Sequence, residues 1–204
     1  QPLPPGDGQP LPPGGGQPLP SGDDQPLPPG DGQPLPPGGS QSLPSDDDQP
    51  LPPGKIAACM KHFAAYGAVS GGQDYNTVDM SSSMLYNQYL PPFKAAVEAG
   101  VLSVMTAFND LNGVPCTMDT WLIQDVLRGD MGFDGMVVSD AEAVCQCVVH
   151  GVAKDLEDAT YKAIMAGNDM DMSSRCNDRY LAALVRSEKV PESRLDEAVA
   201  NVLK

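Results

Sequence analysis

Residues 132–140 read GFDGMVVSD, and this stretch decides how the rest of the chain is interpreted. A glycine-containing turn leads into the apolar run Met136-Val137-Val138, which predicts a strand that is buried on both faces. The run ends in Ser139-Asp140, so a carboxylate stands where the strand is expected to stop. A polar residue at the end of an otherwise apolar strand is typical of a functional site in α/β proteins.

The same alternation of strand and helix is predicted four times between residues 55 and 204. Short apolar runs predict strands at 56–60, 101–107, 136–138 and 168–172. Helical patterns are predicted at 84–99 with an interruption at Pro91-Pro92, after a cap at Asp119, and at 155–166, 181–185 and 195–203. Strands that lack polar alternation indicate a parallel sheet, which suits either a doubly wound sheet or a βα barrel.

The polar residues after the predicted strands favour a barrel. A dinucleotide-binding sheet would have a glycine-rich phosphate turn after its first strand, whereas this chain has Lys61-His62 there and contains no P-loop pattern. Polar residues sit at the ends of the predicted strands, namely Lys61-His62, Asn109 and Asp140 after the first three, and Asp169 and Asp171 within the short fourth. Because functional groups of βα barrels gather at the carboxyl ends of the strands, we expect an α/β fold that forms a partial (β/α)8 TIM-type barrel of about four βα units.

Residues 1–54 have a different composition from the rest of the chain. They hold 18 of the 22 prolines and 11 of the 21 glycines, in octads of the form Gln-Pro-Leu-Pro-Pro-Gly-x-x, and no Lys, Arg, aromatic residue or Cys. Proline removes backbone donors, and one Leu per octad cannot build a core. We therefore predict a disordered spacer at 1–54 and an α/β domain at 55–204. The alternative for the repeat is a polyproline II ligand for an SH3- or WW-type groove.

The overall composition excludes several classes of function. The formal net charge of -15 argues against nucleic acid as a partner, because phosphate binding requires Lys and Arg. No apolar run is long enough for a membrane span, and the first residues lack the basic and apolar regions of a signal peptide. The five cysteines are scattered without a CxxC pair, and the two histidines are far apart. We therefore expect no metal and no cofactor.

Asp140 is the strongest candidate for a reactive group. It can act as a nucleophile, a base or a metal ligand, or it can simply cap the next helix. Lys61 and His62 together can bind sugar hydroxyls or an anionic group, Lys61 alone can form a Schiff base, and His62 can be a half-buried structural residue. Glu142 either completes a carboxylate pair or is a solvated loop residue, and Met105 either fills the core or lines the site.

Several multi-residue motifs resemble those of glycoside hydrolase family 3, and they occur in that family's order. The resembling segments are KHFAAYG at 61–67, DYNTVDMS at 74–81, LPPFK at 90–94, NDLNGVP at 109–115, GFDGMVVSD at 132–140 and AGNDM at 166–170. The resemblance covers essentially residues 55–204 and is closest to bacterial β-glucosidases and β-xylosidases. It implies that this part of the chain is the later half of the family's catalytic barrel.

The resemblance also implies roles for individual residues. Asp140 is expected to be the catalytic nucleophile of a retaining hydrolysis, forming a glycosyl-enzyme intermediate with a terminal β-linked sugar of an oligosaccharide or β-glucoside. Lys61 and His62 are expected to hold hydroxyl groups of that sugar, and Met105 is expected to line the same pocket. The chain departs from the family at Ala141, where many relatives have Trp or His, and at Phe108, where some relatives have Tyr.

The resemblance further implies that parts of the catalytic machinery are missing from the chain. The family takes its general acid/base from a following domain, and earlier barrel strands supply an Asp and an Arg that bind the same sugar. We therefore expect weak or no activity from the chain alone, and open sheet edges available for self-association or a complementing chain. The alternatives are a non-catalytic carbohydrate-binding or structural half-barrel that pairs with another chain, and a Schiff-base lyase that uses Lys61.

Overall fold

A computed structural model describes residues 56–204, so the predicted repeat at 1–54 and its predicted disorder lie outside the described residues. The five strands are β1 (Cys59–Phe63), β2 (Ser103–Thr106), β3 (Asp110–Leu111), β4 (Val114–Pro115) and β5 (Met136–Val138). The main sheet is parallel, with the strand order β1-β2-β5, whereas β3 and β4 form a small antiparallel hairpin. The predicted α/β class is therefore confirmed. The hairpin falls in a segment for which the sequence predicted neither a strand nor a helix.

Helices connect and cover these strands. The α-helices are α1 (Ser82–Met84), α2 (Pro91–Glu98), α3 (Ala143–Val149), α4 (Leu156–Ala166), α5 (Ala182–Arg186) and α6 (Glu192–Leu203). Segments with π-type hydrogen bonding span Leu85–Tyr89, Trp121–Asp130 and Asn177–Leu181, and short 3₁₀ turns span Tyr66–Ala68, Ser70–Gly72 and Cys116–Met118.

The predicted helix boundaries at Pro91, Asp119 and Gly167 are confirmed, and each has a local cause. Pro91 begins α2, because the first turn of a helix needs no backbone donor there. The Asp119 carboxylate accepts a hydrogen bond from the backbone N–H of Leu122 at 3.1 Å. Gly167 ends α4 with a φ of 111°, a left-handed conformation that favours glycine.

The two faces of the main sheet have different neighbours. Val104 on β2 pairs with Val137 on β5, and both are fully buried in the core formed with α2 and the segment Trp121–Asp130. Because side chains alternate along a strand, Met105 and Val138 lie on the opposite face, also paired with each other. The sheet therefore has one face that packs on helices and a second face that includes Met105.

The predicted first strand is shifted along the chain. We expected residues 56–60, but β1 spans Cys59–Phe63, and Ile56 is 91% exposed. Pairing begins where Cys59 lies beside Ser103, and the register shifts between Met60 and Phe63. Pairing with β2, rather than the apolar run at 56–60, therefore determines where β1 begins. Lys61 and His62 consequently belong to the strand itself instead of following it.

The predicted fourth strand at 168–172 is wrong in extent. Only an isolated parallel bridge joins Val138 to Met170. The backbone N–H of Val137 donates to the Asp169 side chain at 2.9 Å instead of to a neighbouring backbone carbonyl, so the ladder does not extend. The helix α3 was not predicted either, because its sequence is rich in Val and Cys, which are poor helix formers.

None of the helices within residues 56–204 is both long and apolar enough to cross a lipid bilayer.

Candidate active site

Asp140 lies two residues after the end of β5 and is 7% exposed. Its Oδ1 accepts a hydrogen bond from the backbone N–H of Ala141 at 2.7 Å. The carboxylate does not cap α3, because no side chain caps that helix. Its second oxygen, Oδ2, is buried and accepts no hydrogen bond from any residue that the structure describes. One oxygen is therefore held by the chain, and the other is buried without a hydrogen-bond donor among residues 56–204.

His62 is the side chain that the structure brings to this free oxygen. Its Nε2 lies 3.1 Å from Asp140 Oδ2, and 26% of its side chain is exposed. The two atoms are at ion-pair distance, but the contact is not aligned as a hydrogen bond. His62 and Asp140, which are 78 positions apart in the sequence, thus meet at the carboxyl ends of the strands of the main sheet. The sequence predicted that both residues contribute to one site, and their roles there stay a prediction.

Lys61 and Met105 are placed near the same edge of the sheet. Lys61 is on β1 and is exposed, and among the described residues its ammonium group makes no hydrogen bond and no ion pair. Schiff-base lysines require a buried or desolvated amine, so this exposed position does not favour the lyase alternative. Met105 is 8% exposed and lies beside Val138, two residues before Asp140.

Asn109 bonds to the backbone near the site instead of facing the site. Its side chain is fully buried, and its Nδ2 donates to the backbone carbonyls of Ala64 at 3.4 Å and Asp110 at 3.1 Å. The backbone N–H of Ala107 donates to the carbonyl of Phe63 at 2.7 Å. These bonds tie the end of β1, immediately after His62, to the segment that follows β2.

Asp169 and Asp171 do not belong to the site, although the sequence placed both at the end of a strand. The Asp169 side chain is fully buried and binds two arginines, with Oδ2 at 3.0 Å from Arg128 and Oδ1 at 2.7 Å from Arg194. Its Oδ2 also accepts from Asn201 at 3.2 Å. Asp171 accepts from the backbone N–H of Cys176 at 2.7 Å. Both carboxylates are structural.

Glu142 is exposed, in agreement with the solvated-loop alternative. Its φ of 61° is left-handed, and its backbone N–H donates to the carbonyl of Met172 at 2.8 Å. No metal-binding group of three or more His, Cys, Asp or Glu side chains occurs within residues 56–204.

An aromatic series that starts at His62 was not recognised in the sequence. The Tyr66 ring packs edge-on against His62 with centroids 5.2 Å apart, Phe108 lies 6.0 Å from Tyr66, and Tyr75 lies 4.4 Å from Phe108. The Tyr66 hydroxyl donates a hydrogen bond to Asp74. Burial, together with this bond and the nearby charges of Asp74 and Asp140, raises the pKa of Tyr66 to about 12. No sequence periodicity connects these residues, because they come from three separate segments.

The comparison with known families agrees with the family resemblance of the sequence motifs. The family model described as the glycosyl hydrolase family 3 N terminal domain matches residues 43–204. The chain belongs to glycosyl hydrolase family 3. The family match begins at residue 43, within the last octads of the repeat.

Similar curated proteins are glycosidases by name. A periplasmic β-glucosidase of Salmonella typhimurium is 51% identical over 148 residues, which are 72% of this chain and 19% of that protein. A β-xylosidase of Formosa agariphila is 45% identical over 119 residues, which are 57% of this chain and 16% of that protein. The chain therefore spans about a fifth of the length of the curated relatives it matches.

A solved structure of a β-glucosidase shows the same fold. The β-glucosidase from Listeria innocua in complex with glucose is 48% identical and superposes with a TM-score of 0.72. The match covers 73% of this chain and 21% of that enzyme. The described α/β fold is therefore shared with part of a structure in which glucose is bound.

Proposed function

We propose that residues 55–204 form the later half of a family 3 (β/α)8 barrel and carry the nucleophile of a retaining, β-glucosidase-type glycoside hydrolase. The observation that carries this proposal is the buried Asp140 carboxylate, whose Oδ2 accepts no hydrogen bond within residues 56–204 and lies 3.1 Å from His62 Nε2. A free, oriented carboxylate oxygen is what nucleophilic attack on an anomeric carbon requires.

The two chemical steps assign a defined task to Asp140. In the first step, Oδ2 forms a bond to the anomeric carbon while the bond from that carbon to the leaving oxygen breaks, and the leaving oxygen takes a proton from a general acid. In the second step, water attacks the same carbon, loses a proton to a general base, and releases Asp140 as a carboxylate. The Ala141 N–H bond to Oδ1 keeps the carboxylate in one orientation through both steps.

Lys61, His62 and Met105 are assigned to binding the sugar that undergoes the reaction. The exposed ammonium of Lys61 and the half-buried imidazole of His62 can donate to hydroxyl groups. Met105 lies on the sheet face opposite the helices and beside Val138, so its thioether presents an adaptable apolar surface to the pocket. Terminal β-linked sugars of oligosaccharides or β-glucosides are the proposed substrates, in line with the names of the relatives.

A retaining mechanism requires a second carboxyl group about 5–5.5 Å from the nucleophile. Among the described residues, the nearby candidate in sequence, Glu142, is exposed and sits in a left-handed turn at the start of α3. General acid/base assistance contributes about 10²–10⁴-fold to such reactions. We therefore expect the 204-residue chain to turn over substrates that need a proton on the leaving group more slowly than the full-length relatives by about this factor.

The edges of the sheet provide a route for completing the site. Within residues 56–204, β1 is at one end of the strand order, and at the other end β5 has only the isolated bridge at Met170 beside it. Unpaired strand edges accept further strands. A complementing chain or a second copy of this chain is the proposed partner at these edges.

Covalent trapping tests the nucleophile without requiring the general acid. A 2-deoxy-2-fluoro-β-glucosyl fluoride has a leaving group that needs no proton, so Asp140 alone should become glycosylated. Intact-mass and peptide mass spectrometry should locate one fluoroglucosyl group on Asp140. Asp140→Asn should remove the label, whereas the matched control Asp134→Asn should keep it, because the Asp134 side chain is 77% exposed. An unlabelled chain, or a label that persists in Asp140→Asn, would contradict the proposed nucleophile.

Hydrolysis of an aryl β-glucoside provides the second measurement. Full turnover that Asp140→Asn abolishes would show that the chain supplies its own acid/base and would overturn the expectation of weak activity. A sugar that binds without either labelling or turnover would instead favour the non-catalytic, carbohydrate-binding half-barrel.

A further inference from the structure

The aromatic series beside His62 runs outward from Asp140 to the surface. His62, Tyr66 and Phe108 are half-buried, whereas Tyr75 at the outer end is 42% exposed. Successive ring centroids are separated by 5.2, 6.0 and 4.4 Å, so the rings form one continuous aromatic wall, defined here as His62, Tyr66, Phe108 and Tyr75. The wall therefore begins at the nucleophile and ends with an accessible phenol ring.

The loop that carries Tyr75 is held on both sides of this residue. On one side, Asp74 accepts a hydrogen bond from the Tyr66 hydroxyl. On the other side, the Thr77 hydroxyl donates to Asp110 at 2.7 Å, which attaches the loop to the β3–β4 hairpin. An exposed side chain that is immobilised at its flanks loses little freedom when it contacts a ligand.

The backbone of Tyr75 is left-handed, as it is at six other non-glycine residues within 56–204. Its φ of 65° is left-handed, a conformation that glycine adopts without cost and that a bulky residue adopts only when its surroundings enforce it. Such residues concentrate at ligand-binding sites. The ring packs against Phe108 rather than into the core, so its burial does not account for the strained conformation.

We infer that Tyr75 is the binding platform for the leaving-group side of the substrate. This inference rests on the proposed function, because the sugar that reacts must lie at Asp140 and His62. A substrate ring attached to that sugar would then extend along the aromatic wall and pack against Tyr75. The matching ligands are β-glucosides whose leaving group is a ring with an apolar face, either an aryl group or a second sugar. Ala141, directly after Asp140, has no ring and cannot form such a platform instead of Tyr75.

Asp74 is a positioning residue in this arrangement. Asp74 is not proposed to contact the ligand. It directly precedes Tyr75, and its hydrogen bond from Tyr66 therefore holds the backbone next to Tyr75 in place. Removing the Asp74 carboxylate should release the loop without removing the platform.

Equilibrium binding to the full 204-residue chain tests the inference, with isothermal titration or ligand-observed NMR as the measurement. The probes are methyl β-glucoside, which lacks a ring in the leaving group, phenyl β-glucoside and cellobiose. Tyr75→Ala should weaken binding of phenyl β-glucoside about three- to tenfold and leave the affinity for methyl β-glucoside unchanged. Tyr75→Phe should restore the affinity, because the ring rather than the hydroxyl forms the contact. Asp74→Ala should show a smaller loss for the same ring-bearing probes only.

Tyr86→Ala is the matched control, because Tyr86 is 41% exposed but lies on the helical segment Leu85–Tyr89 and contacts Asp130. It should change none of the affinities. If Tyr75→Ala loses affinity for both cellobiose and phenyl β-glucoside, Tyr75 is a platform for rings in general. If it loses affinity for phenyl β-glucoside alone, Tyr75 is a platform for aryl groups. Both results support the inference. Equal losses for all probes, or no loss for any, would overturn it. Failure of the unmodified chain to bind any probe would overturn the proposed function itself.

Discussion

The buried cluster around Asp169 offers the most quantitative test of how the described fold is stabilised. Replacing Asp169 by Asn keeps the shape of the side chain but removes its charge. The carboxylate is fully buried, and the two arginine side chains that it binds, Arg128 and Arg194, are only 15% and 9% exposed. After the substitution, Arg128 would remain largely desolvated without a counter-charge among the described residues, and Arg194 would keep only the half-exposed Glu197 at 3.4 Å.

The expected loss of stability follows from this burial. Breaking a buried ion pair by removing one partner costs about 3–5 kcal/mol, because an uncompensated charge remains inside. With a urea m-value of about 2 kcal/mol/M, this corresponds to a fall of about 1.5–2.5 M in the unfolding midpoint. Urea titration followed by fluorescence of the single tryptophan, Trp121, and by far-ultraviolet circular dichroism measures the change.

Two further variants bracket this effect. Asp178→Asn breaks an exposed pair with Arg175, whose side chains are 63% and 68% exposed, and should cost less than about 0.5 kcal/mol. Asn201→Ala removes one 3.2 Å hydrogen bond to Asp169 but leaves both arginines paired, and should cost about 1 kcal/mol. The reasoning is refuted if Asp169→Asn costs no more than Asp178→Asn, because the cluster would then contribute nothing beyond a surface pair.

Two further predictions concern groups whose pKa the fold raises. Burial raises the pKa of the Cys116 and Cys147 thiols to about 12. An aromatic disulfide reagent at neutral pH should therefore label exposed Cys59 quickly, and Cys116 and Cys147 only after unfolding. Fast labelling of Cys116 in the native chain would contradict this. Burial raises the pKa of Tyr66 from 10.0 to about 12, so the folded state keeps a proton that the unfolded state loses. Its contribution to stability should be complete below pH 10 and decline as the pH rises towards 12, and urea unfolding across this range should show a smaller decline for Tyr66→Phe.

The sequence predicted the parts of the fold that depend on local chemistry. β5 was predicted at its observed bounds, because a turn with Gly135 precedes it and Asp140 follows it. A Cβ at Gly135 would lie 2.3 Å from the backbone oxygen of Leu102, so glycine is required at that position for β5 to pack against the chain before β2. His62 and Asp140 were predicted as residues of one site, and their roles stay a prediction; their side chains meet although β2 lies between β1 and β5.

Features that depend on distant partners were not predictable in the same way. β1 is shifted towards Phe63 because its pairing with β2, and not its apolar run, sets its bounds. Asp169 resembled a site residue in the sequence, but its partners Arg128 and Arg194 come from two separate helices that sequence spacing does not relate to it. Tyr75 lies in a stretch where the sequence predicted neither strand nor helix, and only the structure places its ring against Phe108.

The register of the main sheet has a consequence for how the chain folds. Cys59 pairs with Ser103, and Ser103 pairs with Met136, so every ladder in this sheet joins residues that are several tens of positions apart. Each pairing must wait until the intervening helix has brought its two strands together, and the entropy of closing a long loop is lost before any ladder bond forms. Chains with such non-local contacts fold slowly compared with helical bundles. The contact between His62 and Asp140 spans both ladders, so we expect it to form among the last steps, and a stopped-flow signal from the site should lag behind helix formation.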